Sequence, residues 1–148
     1  KCAVENMAGL ASRVNYDAVP GCIFSFPPVA AVGLTEEAAR DRGIAYRSGK
    51  FLFAANGKAV CMGETDGFVK VLTDEEQRVI GVHIIGPHAS DLILEGTLMV
   101  QRQMTIEQVA EAVHPHPTLG EALQEAALDS IGQAIHLLPR KKNTTQSP

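Results

Sequence analysis

A chain of 148 residues, 45% apolar and 20% charged, is long enough to bury one core and has the balance of a soluble globular domain. Its net charge of −4 leaves no basic footprint for nucleic acid, and its longest apolar runs fall well short of the roughly 20 residues a membrane span needs. Aromatic residues make up only 5%, so the core must be built from Val, Ile, Leu and Ala.

The chain opens on Lys1-Cys2-Ala3-Val4-Glu5-Asn6, with no initiator Met and no secretory pattern. That points to a piece of a longer protein. Residues 1–10 are Ala-rich and read as the last turns of a helix. Breaker residues cluster at Tyr16-Asp17-Ala18-Val19-Pro20-Gly21. Residues 1–16 are therefore expected to end an upstream segment or form a linker, 17–138 to form the domain, and 139–148 to be a mobile tail.

Within the domain, Cys22–Phe26 reads as a short strand stopped by Pro27-Pro28, and Val29–Gly33 as a second extended piece. Thr35 can cap a short helix with Glu36 and Glu37 in its first turn, ending before Gly43. Ile44–Arg47 and Lys50–Ala54 look extended, and Asn56-Gly57 predicts a hairpin-like reversal. Phe68–Leu72 and Arg78–Ile85 are β-branched runs around a polar turn, which predicts an antiparallel hairpin.

Helices follow. Ser90 or Asp91 can cap a run to about Met104 that is apolar nearly all round and so reads as buried. Thr105-x-x-Gln108 is a capping box opening a helix to about Val113. A last helix after Thr118 places Leu119, Ala122, Leu123, Ala126, Ala127, Ser130, Ile131 and Ala134 on one face. Strands first and helices after predict an α+β fold, an antiparallel sheet with helices packed on one side. No two of the thirteen glycines are spaced G-x-G and no Gly-Lys-Ser/Thr occurs, so this stretch holds no nucleotide fingerprint. Cys2, Cys22 and Cys61 form no close pair and read as reduced, incidental thiols.

The sharpest chemistry lies in His114-Pro115-His116-Pro117-Thr118-Leu119-Gly120-Glu121. Proline fixes its own φ and pushes the residue before it to extended conformations, so two His-Pro pairs make a stiff strip. The following helix brings Glu121 back toward it. A carboxylate on an imidazole fixes its tautomer and raises its basicity, the layout of an oriented general base. Other readings stand beside it: Thr118-x-x-Glu121 is itself a capping box, and His114-x-His116 could chelate a metal with Glu121 or Glu125. His83 reads as a half-buried sheet histidine, His88 and His136 as surface positions.

His116-Pro117-Thr118-Leu119-Gly120-Glu121 resembles the H-P-T-L-S-E signature of dihydrolipoamide dehydrogenases. Val32–Glu36, Asn56–Ala59, Gly63–Lys70 and Gly81–Pro87 are similar to further blocks of that family, in order and in register from about Met7 to Ile135. The resemblance implies the dimerisation domain of an FAD- and NAD-dependent homodimer, cytoplasmic or in an organelle matrix, with residues 1–16 ending its flavin domain. It assigns His116 as acid/base and Glu121 as the carboxylate orienting it, both serving the partner subunit's active site, with the His116-Pro117 backbone against the partner's flavin. There dihydrolipoamide is oxidised through a redox disulfide and FAD to reduce NAD. Implied partners are a second copy and the lipoyl-bearing components of 2-oxoacid dehydrogenase or glycine cleavage systems. No metal is implied. Gly120 stands where the family usually has Ser, Phe26-Pro27-Pro28 departs from its pattern, and the C-x-x-x-x-C redox pair is absent from this stretch. The chain alone is thus expected to hold neither FAD nor activity. Another flavin disulfide reductase, or a non-enzymatic interaction module, is the alternative.

Overall fold

The computed structural model describes residues 1–138; the tail expected at 139–148 lies outside them. Five strands form one antiparallel sheet in the order β1-β2-β5-β4-β3: β1 Gly21–Ile23, β2 Val29–Gly33, β3 Arg47–Leu52, β4 Phe68–Thr73 and β5 Val79–Ile85. The β4–β5 hairpin is formed as its alternation predicts. Its turn is tied by Asp74, which accepts from the Arg78 amide at 2.8 Å and pairs with the Arg78 guanidinium at 2.7 Å. That carboxylate raises the Arg78 pKa further above its already high value.

Side chains alternate across a pleated sheet. The cross-strand row Gly49, Val71, Val82 and Val32 faces two helices, α4 (Ala89–Gln101) and α6 (Glu121–Asp129). Phe51, Val69, Ile84 and Ala30 form the next row on that face, each at most 2% exposed. The core thus lies between one sheet face and two helices, the α+β arrangement the element order predicts. The opposite face carries Lys50, Lys70 and His83; Lys70 pairs with Glu36 of α2 (Glu36–Asp41) at 3.4 Å.

Two contacts fix the helices at close range. A Cβ on Gly96 of α4 would stand 2.9 Å from the Val82 side chain, and one on Gly49 of β3 would overlap backbone atoms of Ala126 and Ser130. On α6, Ala122, Leu123, Ala126 and Ala127 are fully buried, as the apolar stripe predicts, but the helix ends at Asp129, short of the expected Ile131 and Ala134. Thr35 caps α2 and the Thr105–Gln108 box caps α5 (Ile106–Glu111).

Some expectations change. Asn56-Gly57 makes no reversal: Asn56 caps α3 (Gly57–Met62) by accepting from the Ala59 amide at 2.9 Å. Asn favours N-caps as strongly as turns, and here the cap wins. The two extended pieces around residues 44–54 are one strand, β3, running into a 3-10 turn at Phe53–Ala55. Strand β1 is shorter than Cys22–Phe26, leaving Phe24 and Phe26 exposed. Neither Ser90 nor Asp91 caps α4; His88 occupies the N-cap in the left-handed region, φ 55°. Nor is α4 buried all round. Ile93, Met99 and Val100 meet the sheet, while Leu94 and Leu98 are 63% and 49% exposed, because a sheet can cover only one side of a helix.

Candidate active site

The loop between α5 and α6 carries the His-Pro pairs. It is not a straight strip. The backbone bends at His116 and Pro117, where the peptide bond is cis, and the Thr118 hydroxyl donates back to the Pro115 carbonyl at 2.7 Å. This bend turns His116 toward the start of α6.

The two oxygens of Glu121 have different partners. Oε1 lies 2.7 Å from His116 Nδ1, and Oε2 accepts from the Thr118 amide at 2.8 Å. Only half a capping box forms: Glu121 reaches the Thr118 amide, while α6 has Gly120 at its N-cap and no side-chain cap. A carboxylate accepts only, so Nδ1 carries the hydrogen and Nε2 presents its lone pair. The His116 side chain is 76% exposed and that of Glu121 21%, which leaves Nε2 accessible on an anchored ring.

Partial burial pulls the Glu121 carboxyl upward. The bonds from His116 and the Thr118 amide, with the charges of His116 and His136, outweigh this and hold it below its ordinary value. Glu121 therefore stays ionised to lower pH than a free carboxyl.

Three further anchors could not be read from spacing. Asn56, 3% exposed, donates from its side-chain amide to the Thr118 carbonyl at 3.0 Å. His114 contacts Ala112 O at 3.0 Å and Glu95 Oε1 at 2.8 Å. Glu125, 4% exposed, accepts from the amides of Ile135 and His136 and meets His136 Nδ1 at 2.8 Å. His136 is a surface position, as expected, yet it is tethered. The ring of His114 is turned away from a chelating role with His116, because both its nitrogens are engaged. Among the described residues no three His, Cys, Asp or Glu side chains gather as a metal site. His83 is half-buried, with Nε2 2.9 Å from the Leu34 carbonyl. Its burial, with the nearby Lys70 charge, lowers its pKa against the opposing pull of the Leu34 carbonyl. The three cysteines are free thiols.

At Gly120 the backbone is ordinary right-handed helix, φ −60° and ψ −28°, and a Cβ would find its nearest neighbour at 3.7 Å. Gly120→Ser should therefore stabilise the chain by about 0.4–1 kcal/mol through reduced freedom of the unfolded state. Thermal unfolding checks this: Tm should rise by roughly 2–5 °C, and a fall would mean that the start of α6 is packed differently.

An open groove borders the site, lined by Lys58, Met62, His88, Leu92, Pro117 and Leu119. Fold and site thus define a domain that presents a histidine–carboxylate pair at its surface instead of enclosing it. The description of the pyridine nucleotide-disulphide oxidoreductase dimerisation domain matches residues 19–127. Dihydrolipoyl dehydrogenases from Chlamydia muridarum and Bacillus subtilis are 44% and 48% identical over 95% and 90% of this chain, and a mitochondrial one from Arabidopsis thaliana is 43% identical over 90%. The chain spans about 30% of the length of these relatives, covering 30%, 29% and 27% of them in turn. Two solved structures superpose well. LpdA from Mycobacterium tuberculosis has a TM-score of 0.78 at 28% identity, covering 84% of this chain and 28% of that one. The HOCl-induced flavoprotein disulfide reductase RclA from Escherichia coli has 0.77 at 25%, covering 85% and 30%. The chain belongs to this oxidoreductase family, as a dimerisation domain of the dihydrolipoyl dehydrogenase-like flavin disulfide reductases.

Proposed function

We propose that this chain is the interface domain of a homodimeric dihydrolipoyl dehydrogenase and lends His116 and Glu121 to the partner subunit's active site. The observation that carries the reading is the exposed His116 ring held at Nδ1 by Glu121 at 2.7 Å. A base that served its own domain would be expected in a cleft of that domain; this one faces outward from a rigid bend. The 43–48% identity to dihydrolipoyl dehydrogenases supports the lipoamide branch over other disulfide reductases.

His116 Nε2 takes the proton of a dihydrolipoamide thiol, whose unperturbed pKa lies near 8.5 or above. The thiolate so formed is the nucleophile for a disulfide carried elsewhere in the enzyme. Glu121 holds the ring hydrogen on Nδ1, so the lone pair of the neutral ring is at Nε2, and it balances the imidazolium once the proton has moved. FAD, with NAD as the final acceptor, supplies the electron transfer when bound. The residues present fit one side of a flat ring: Pro117 edges an open, partly apolar groove beside His116. They do not form a nucleotide cradle, so the chain alone is half of a composite site and inactive. Residues 1–16 fit the end of a preceding flavin-binding segment. The partners in this reading are a second copy and lipoyl-bearing components of 2-oxoacid dehydrogenase or glycine cleavage systems, in a cytoplasm or organelle matrix.

Mixed dimers test the composite site. In the full flavoenzyme, subunits with His116→Ala and subunits lacking the redox cysteines should each be inactive. After subunit exchange, statistical assortment gives half heterodimers with one intact site each, so about a quarter of wild-type turnover should return. Exchange verified by mass with no recovered turnover would end the reading.

A further inference from the structure

The exposed His116 ring has a single recorded partner, and its two proline neighbours have no N–H to anchor the loop. The loop therefore needs a post outside itself. His114 supplies the connection: its side chain is 8% exposed, and its ring joins Ala112 O at 3.0 Å to Glu95 Oε1 at 2.8 Å. Glu95 stands in the middle of α4, next to Gly96, whose backbone is pressed against Val82 of the sheet. The post thus stands on a helix packed against the core.

Glu95 stands near both the strip and the start of α6. Its Oε1 holds the segment that leads to His116. Its Oε2 lies 3.8 Å from where a Cβ on Gly120 would stand, against the start of the helix that bears Glu121. A single carboxylate on a packed helix so ties the strip to α4.

We propose that the Glu95–His114 pair is a positioning clamp for the His116–Glu121 dyad. The proposal rests on the function given above for that dyad. Neither residue of the clamp touches substrate; both act through the geometry of His116.

The test uses Glu95→Ala, which removes the post, and Glu95→Gln, which keeps an acceptor for the His114 ring. Glu95 is part-exposed, so both chains should fold. In the 148-residue chain, nitrogen NMR should show the Nδ1–H form of His116 losing ground in Glu95→Ala. Carbon NMR should show the Glu121 carboxyl titrating upward, back toward its ordinary value. Glu95→Gln should stay near wild type on both measures. In the full flavoenzyme, Glu95→Ala should lower kcat by about tenfold, within what a small misplacement costs. A clamp that merely stabilised the fold would lower Tm and leave the His116 tautomer and the Glu121 titration where they were, and that result overturns the proposal. Wild-type protein offers a check that needs no variant: ring hydrogens of the His114–Glu95 pair should exchange slowly with water, and fast exchange overturns the clamp. These spectra read geometry alone. Intact spectra with failed mixed-dimer recovery would therefore strike the proposed function and spare the clamp as a feature of the fold.

Discussion

Replacing His116 with Ala in the full flavoenzyme should lower kcat/KM for dihydrolipoamide by roughly 100 to 10,000-fold, the usual contribution of a positioned general base. The expectation follows from what the ring does and from what it does not do. With 76% of its side chain exposed, His116 contributes little packing, so its removal should leave Tm and dimerisation close to wild type. The loss should be greatest where the substrate thiol is still protonated. As pH rises through the thiol's own pKa, near 8.5 or above, the thiolate forms without help and the variant should recover part of its rate. Steady-state kinetics between pH 6 and about pH 10 would show this as a variant whose deficit narrows with pH. A deficit of less than tenfold at neutral pH would remove His116 from the role.

Gly49→Ala should be among the most damaging small changes to the fold. A methyl there would overlap the Ala126 carbonyl, the Ser130 amide and the Asp129 carbonyl carbon, all backbone atoms near the end of α6. No rotamer change relieves such a clash. The same junction is held by Asp129, 8% exposed, which accepts from the Lys50 amide at 2.8 Å. The helix must lift from β3 and weaken that bond too, so a cost near the upper end of overpacking, about 3 kcal/mol, is expected. Thermal unfolding should show a fall of roughly 6–12 °C. Gly57→Ala is the matched control, since nothing lies within 4 Å of its Cβ position and its φ is not positive; it should be neutral or stabilising. Equal Tm values for the two variants would contradict the seating of α6 on β3. Glu121 begins α6, so Gly49→Ala should also disturb the dyad from the far end of the helix.

Much of this architecture is local enough to be read in the chain. The β4–β5 hairpin, the Thr35 and Thr105 caps and the buried stripe of α6 each depend on residues a few positions apart. The approach of Glu121 to His116 belongs to the same class, being a matter of five residues and one helical turn. Where spacing left cap or orienting carboxylate open, the structure gives one oxygen to the Thr118 amide and the other to the His116 ring. Asn56 shows where such reading stops. Its dipeptide with Gly57 fits a turn, but its amide meets the Thr118 carbonyl 62 residues away, and that long-range bond accompanies a helix cap. The Glu95–His114 and Glu125–His136 pairs were hidden for the same reason. In α4 the pattern misled because apolar residues lie on all sides of it; the family's dimerising role gives Leu94 and Leu98 a reason to be apolar on the outer side.

The divided use of Glu121 has a consequence for chemical polarity at the site. An amide of the same shape could not stand in for it. Gln at this position has one accepting oxygen and one donating nitrogen. If the oxygen kept the Thr118 amide, the nitrogen would face His116 Nδ1 and demand a lone pair there. The ring hydrogen would then move to Nε2, and the outward atom of His116 would become a donor. An unchanged backbone would offer a hydrogen where a thiol needs somewhere to leave one.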